Sequence, residues 1–311
     1  MPRYTDLALG AGAVLAVGLG LIALKPDSLP TSGEEAGSVI TDTPSSLATK
    51  AAPTSSASAS ASASSRGSAK PDASSGSAWV VGAGYGLAVR SEQRGCDADG
   101  PASITVIGSA GGTITREVDG LRAVGGIDVE SAQQAQLVGV DTDCKRVGYA
   151  TDDAGRTWTK LGEVPTIWSL VPDDTTEVHA PSGQVDVPCA PRSITGLDDK
   201  VARLACTDGR LLGTVNAGDD WSILGNNGDV EAVGFVSATT ALALTGSDAC
   251  DGVEVQRSTD GGTDFASAYC VEGHGPWGVY TDSDTAVVVG GDVVARSADG
   301  GEKWDVTRIR S

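Results

Sequence analysis

The chain has 311 residues, with 22 Lys+Arg against 41 Asp+Glu, a net charge of −19, 42 Gly, six Trp, five Tyr, two Phe and two His. That balance excludes nucleic acid and an anionic membrane surface as electrostatic partners, since both need a cationic face. Two His exclude His-rich metal sites, and so much Gly excludes a long helical bundle, where each interior Gly costs about 1 kcal/mol.

In chain order the first element is the apolar run Leu7 to Leu24, which carries no charge. Eighteen residues at about 1.5 Å each just cross a bilayer core. Residues 1–25 are therefore expected to form a transmembrane anchor, with the amino terminus in the cytoplasm. The alternative is a cleaved signal peptide, although the exit Ala23-Leu-Lys-Pro26 offers no clean cleavage site. Gly12, Ala16 and Gly20 recur every four residues, either as a helix-pairing face or as chance in an Ala/Gly-rich span.

Residues 26–77 are rich in Ser, Ala, Thr, Pro and Gly and hold no aromatic residue. Such a stretch buries too little apolar surface to offset its chain entropy, so a disordered tether is expected. Its r.m.s. reach is on the order of 40 Å. Residues 1–77 contain five Lys+Arg and six Asp+Glu, leaving 17 and 35 for residues 78–311, a net of −18. The acidity belongs to the part expected to fold.

That part is repetitive. Thr151-Asp-Asp153-Ala-Gly155-Arg-Thr-Trp158, Thr214-Val-Asn216-Ala-Gly218-Asp-Asp-Trp221, Ser258-Thr-Asp260-Gly-Gly262-Thr-Asp-Phe265 and Ser297-Ala-Asp299-Gly-Gly301-Glu-Lys-Trp304 all obey [ST]-x-[DN]-x-G-x-x-[WF]. Ser109-Ala-Gly-Gly-Thr reads as a worn fifth copy. The hydroxyl and the acid suit backbone N–H groups a few residues on, and the Gly supplies a positive φ. Two short apolar runs precede each box, such as Thr285-Ala-Val-Val-Val and Val293-Val-Ala-Arg. Each repeat then fits four antiparallel strands, with the box between the third and fourth.

These boxes resemble the Asp-box, or bacterial neuraminidase repeat, of sialidase-like β-propellers and their non-enzymatic relatives. The resemblance covers most of residues 78–311 and implies an all-β propeller of four-stranded blades, with the boxes away from any active site. The box starts are 42, 63, 44 and 39 residues apart. Five blades are expected, with about 20 extra residues near 165–190; a sixth, irregular blade there is the alternative.

Six Cys in an exported chain suggest three disulfides. Cys96, Cys144, Cys206 and Cys250 fall between second and third strands, whereas Cys189 and Cys270 fall between one blade and the next. In a propeller both kinds of connection share the face opposite the boxes. The expected pairs are Cys189–Cys206, Cys250–Cys270 and, by remainder, Cys96–Cys144 joining neighbouring blades. On that face Trp168, His274, Trp277 and Tyr280 are the binding candidates, since Trp and Tyr combine apolar area with a polar handle. Ordinary packing between blades is the competing reading for each Trp, and a plain loop residue for His274.

The family also contains glycosidases that use a Tyr nucleophile. The Arg-Ile-Pro start of those enzymes is absent; the nearest string, Arg308-Ile-Arg310, stands at the wrong end. Tyr85, Tyr149, Tyr269 and Tyr280 lie in no context that matches the nucleophile. The expectation is a membrane-anchored, extracytoplasmic, non-enzymatic module that binds a protein, peptide or glycan, with no cofactor and no nucleic acid. It would be secreted if the N-terminal segment is cleaved. A sialidase-like hydrolase and a structural spacer are the alternatives. Asp97-Ala-Asp99-Gly100 and Asp141-Thr-Asp143 are short acidic loops that suit Ca²⁺ weakly.

Overall fold

The structure, a computed structural model, describes residues 78–173, 176–228 and 230–310. The anchor expected over residues 1–25 and the tether expected over 26–77 lie outside the described residues.

The described strands form six antiparallel sheets, each a simple meander. Blade I holds β1 (Trp79–Gly84), β2 (Leu87–Glu92), β3 (Ala102–Ile107) and β4 (Thr113–Val118). Blade II holds β5 (Ala123–Val129), β6 (Ala135–Val140), β7 (Arg146–Thr151) and the two-residue β8 (Thr159–Lys160). Blade III has three strands, β9 (Ser169–Leu170), β10 (Glu177–Ala180) and β11 (Gly183–Asp186). Blade IV holds β12 (Pro191–Gly196), β13 (Ala202–Cys206), β14 (Arg210–Thr214) and β15 (Ser222–Asn226). Blade V holds β16 (Val230–Phe235), β17 (Ala241–Thr245), β18 (Gly252–Ser258) and β19 (Ala266–Glu272). Blade VI holds β20 (Gly278–Asp282), β21 (Thr285–Val289), β22 (Val293–Ser297) and β23 (Asp305–Arg308).

The first strands neighbour one another in the cyclic order β1, β5, β9, β12, β16, β20 and back to β1. The sheets therefore close radially into a six-bladed propeller. Six blades correct the expected five. The sixth is blade III, which lies in the 63-residue gap between Thr151 and Thr214 and carries no box, because a tight turn at Pro181-Ser182 joins β10 to β11.

Blades pack face to face, so their middle strands are covered on both sides. This is why β17 (Ala-Leu-Ala-Leu-Thr) is buried throughout and reads as a continuous apolar run rather than an alternation. Each buried Leu there contributes about 1.5–3 kcal/mol. Apolar clusters fill five of the six seams. Leu137 and Tyr149 meet Val89 and Ile104 between blades I and II. Leu170 and Val178 meet Leu204 and Leu212 between III and IV. Similar clusters fill the seams IV/V, V/VI and VI/I. The seam between II and III differs. There Gly126 abuts Ser169, Ser169 lies opposite His179 in the ladder, and Arg146 acts electrostatically on His179.

The ring closes between blades VI and I without exchanging a strand. Trp79 N–H donates to the Trp277 carbonyl at 3.2 Å, and Arg310 N–H donates to the Gly111 carbonyl at 2.7 Å. The Arg90 guanidinium donates to the Gly290 and Gly291 carbonyls and lies 4.4 Å above the Trp79 ring.

The four boxes are alike in detail and stand between third and fourth strands, as their sequence implies. In each, the first hydroxyl donates to the acid or amide two residues on, at 2.7–2.9 Å. It also accepts the Gly N–H four residues on, at 2.9–3.0 Å. The side chain at the third position accepts the N–H four residues further along, at 2.9–3.1 Å. The worn copy at Ser109 turns on main-chain bonds instead, with Gly108 N–H donating to the Gly112 carbonyl at 2.9 Å.

Three disulfides form, Cys96–Cys144, Cys189–Cys206 and Cys250–Cys270, and no described cysteine is free. Only Cys96–Cys144 ties two blades, I to II. Cys250–Cys270 lies within blade V, and Cys189–Cys206 ties the β11–β12 connection to blade IV.

Candidate binding cavity

The inner strands β1, β5, β12, β16 and β20 all start at the disulfide-bearing end and finish at the box end. β9 runs the other way. Leu170 lies against Gly125 and Trp168 against Gly126, so the chain ascends beside a descending β5. Trp168 Nε1–H donates to the Asp198 carbonyl at 2.8 Å, in the turn after β12 at the box end. Asp173 accepts a hydrogen bond from Cys96 N–H at the opposite end. β9, β10 and β11 thus have the directions of second, third and fourth strands, and blade III lacks the first. Residues 162–168 replace it as irregular chain crossing blade II, with Pro165 on Gly148 and Ile167 on Gly126.

A cavity of about 310 Å³ occupies the axis on this side of the ring. Its wall comes from β1, β5, β12, β20 and the 166–170 segment, and includes no residue of β16 in blade V. Trp79, Trp168 and Tyr280 supply its aromatic surface. At the box end stand Asp128 and Asp282, near the ends of β5 and β20, and Asp198 and Asp199 in the turn after β12. Arg192, at the start of β12, is the one Arg or Lys in the wall. A second hollow, at the disulfide-bearing end, shares Gln93 and Leu170 with the first.

The electrostatics follow from this placement. Burial pushes the Asp128 carboxyl above its ordinary range; a hydrogen bond from Val129 N–H opposes this and the charge of Asp282 adds to it. Burial likewise raises the Tyr280 phenol, helped by Asp282 and Asp128. Among the described residues, the Tyr280 hydroxyl makes no hydrogen bond. Arg192 donates to the Val230 carbonyl at 2.7 Å and opposes the effect of burial on Glu231, so its charge is already engaged.

The expected site residues are divided by this geometry. Trp168 and Tyr280 meet in the cavity wall. Trp168 is nevertheless at the box end and not on the disulfide-bearing face, because β9 is reversed. Trp277 is a core residue, 4% exposed, in the cluster between blades V and VI with its ring on Gly290. His274 is a surface loop residue whose side chain is 88% exposed, with Nδ1 3.6 Å from Asp292 Oδ2. The Asp97–Gly100 loop presents carbonyls to Arg94 and Arg122. Among the described residues, no group of three or more His, Cys, Asp or Glu is placed to hold a metal ion. Asp128, Asp282 and Arg192 were not candidates from sequence. Each sits at an end of an inner strand, a position that needs the strand assignment first.

No protein-family model matches the chain, and no curated protein matches it. Solved structures do. A structure described as YCF48 bound to D1 peptide is 12% identical, with 74% of this chain and 80% of that one covered and a TM-score of 0.28. An Aleuria aurantia lectin mutant in complex with Fucα1-6GlcNAc is 10% identical, with 75% and 96% covered and a TM-score of 0.46. The GH74 xyloglucanase from Xanthomonas campestris is 13% identical, with 73% and 38% covered and a TM-score of 0.30. All three scores are low, and the assignment of the fold rests on strand order and radial closure.

Proposed function

We propose that the protein is an exported, membrane-anchored binding module, without enzymatic activity, that admits part of a peptide or glycan ligand into its axial cavity. The observation that carries this reading is the cavity itself: about 310 Å³ beside the blade that lacks its first strand, walled by Trp168 and Tyr280. Concave sites of this size with aromatic walls and a few polar groups are the usual form of a ligand pocket. Three disulfides support an oxidising, extracytoplasmic setting, and the run Leu7 to Leu24 supports the anchor.

The hydrolase alternative has less behind it. A Tyr nucleophile must lose its proton, and burial with two carboxylates nearby opposes that at Tyr280. One already engaged guanidinium is also a poor holder for an acidic sugar.

The test uses the full-length chain with ¹⁵N-labelled Trp and a panel of methyl glycosides and Nα-acetyl amino-acid amides. At least one panel member is expected to move the Trp168 indole resonance saturably, with the peak assigned by Trp168→Phe. Binding confined to other resonances, or no saturable shift at all, would overturn the cavity as the site; the latter is what a structural spacer gives. Turnover of a fluorogenic sialoside that disappears in Tyr280→Phe would establish an enzyme instead.

A further inference from the structure

The cavity is electrically lopsided in a way its folding does not require. Asp128, Asp198, Asp199 and Asp282 are all in its wall at the box end. Among the described residues, none of the four takes part in an ion pair. Asp198 is accounted for as a turn residue, its Oδ1 accepting Lys200 and Val201 N–H at 2.7 Å each. Asp128 accepts a hydrogen bond from the adjacent Val129 N–H and Asp282 one from the Ser283 hydroxyl at 3.3 Å, and neither bond neutralises the carboxylate. The two residues stand at or near the last residues of the two inner strands that flank β1 in the ring, close enough to act on each other and on the Tyr280 phenol. Asp128 is half-buried and loses hydration without gaining a cationic partner, while Asp282 close by is exposed. Nothing in the packing of β5 or β20 uses their charge.

The remaining wall suits a cation with an apolar stem. Trp168 and Tyr280 provide aromatic faces, which attract ammonium and guanidinium groups as well as methylene chains. Arg192, the one cation in the wall, is held at the other end by the Val230 carbonyl. The Trp79 ring is covered by Arg90, so the open aromatic surface lies on the acidic side. An acidic ligand is excluded by the same four carboxylates.

Building on the cavity reading above, we infer that the axial cavity takes a basic side chain, the ammonium of a lysine or the guanidinium of an arginine presented by a partner polypeptide. In this arrangement its charge lies between Asp128 and Asp282 and its stem against Trp168 and Tyr280. The partner is thus a basic segment reaching the box end of the propeller.

The probes are Nα-acetyl-lysine methylamide, the arginine analogue, and the norleucine analogue, which keeps the stem without the charge. Each is titrated into the full-length chain with the Trp168 indole resonance as readout. The lysine or arginine probe is expected to bind at least about ten-fold more tightly than norleucine, and to weaken by a similar factor in Asp128→Asn/Asp282→Asn. Raising the salt concentration should weaken the cationic probe and leave norleucine unchanged. Both substitutions are isosteric and remove a repulsion, so the variant stays folded, as an unchanged thermal midpoint would show. Comparable shifts with norleucine, or with a glycoside alone, would overturn the charge inference and leave the cavity as a site. No shift with any probe would overturn both. Preference between the lysine and arginine probes identifies which head group the site fits.

Discussion

Gly155 of the blade II box lies so close to Val106 of blade I that a Cβ built on it would stand 2.3 Å from Val106 Cγ2. The same relationship recurs around the ring. Gly218 faces Val185 of blade III, Gly262 faces Leu211 of blade IV and Gly301 faces Leu242 of blade V. Each of these glycines also has a φ between 80° and 95°. The box is therefore a turn and a seat for the preceding blade at once, and the neighbouring seams depend on it.

Gly155→Ala should accordingly destabilise the protein by about 2–4 kcal/mol, from the left-handed backbone together with overpacking against Val106. Gly162→Ala is the control, since Gly162 has nothing within 4 Å of its built Cβ; its effect should stay within about 0.5 kcal/mol. Urea unfolding of both variants measures the difference, and equal midpoints would rule out the seat.

The first hydroxyl of the box should matter more than the charge of its acid. Ser258 is buried, and its Oγ accepts the Gly262 N–H at 2.9 Å. Ser258→Ala leaves that N–H without a partner and should cost about 1–3 kcal/mol. Asp260→Asn keeps the acceptor, and the chain itself carries Asn216 at the equivalent place, so its cost near neutral pH should be small. At low pH the acids do act. The Thr157 N–H and hydroxyl hold the Asp153 carboxyl down at about 2. The Ser258 hydroxyl lowers Asp260, and the Lys303 N–H lowers Asp299. A carboxylate with a depressed folded pKa contributes stability above its unfolded value near 4 and loses it as the pH falls toward 2. Acid unfolding of Asp153→Asn compared with the parent should show a shallower decline across that window.

Trp277→Ala should unfold rather than blind the protein. The side chain is 4% exposed and packs on Gly290, so truncation should cost about 3–5 kcal/mol. Trp168→Ala should lose the ligand with a smaller penalty. A variant of Trp277 that kept full stability would show that its ring is not part of the V/VI core.

The contrast between these two tryptophans shows how far the sequence could be read. The boxes disclosed blades II, IV, V and VI because one turn chemistry recurs, and the register they set was enough to pair all six cysteines. Blade III had no such mark. Its β10–β11 turn is Pro181-Ser182, and β9 has two residues, too short for any hydrophobic period. Without it, the sequence does not disclose the reversal of β9, which carries Trp168 to the box end instead of the expected disulfide-bearing face. Asp128 and Asp282 carry no mark in the sequence because their meeting depends on ring closure, which joins residues 154 positions apart.

The Cys96–Cys144 bond ties blade I to blade II across a separation of 48 residues. Chain entropy gives it about 4 kcal/mol, against about 3 kcal/mol for each of the shorter two. Cys96→Ala/Cys144→Ala should therefore lower the unfolding midpoint more than Cys250→Ala/Cys270→Ala, which stitches strands already in one sheet. Equal losses would overturn the loop-length account, which by itself gives Cys96–Cys144 the larger effect.

The seam between blades II and III should make the protein acid-sensitive well above the carboxylate range. His179 is 6% exposed, its Nδ1 has no hydrogen-bond partner, and burial with Arg146 nearby holds its pKa down at about 4. The unfolded chain takes up a proton at this residue near pH 6.5, whereas the folded protein resists until about pH 4. Protons thus favour the unfolded state throughout that interval, and stability must fall as the pH drops from 6.5 to 4, by about 2–3 kcal/mol in all. His179→Gln removes the titration. The difference in unfolding free energy between parent and variant should shift by that amount between pH 7 and pH 4, while the raised carboxyls of Asp128 and Glu231 cancel because both proteins carry them. A difference that does not vary with pH would mean that the imidazole is hydrated in the folded state.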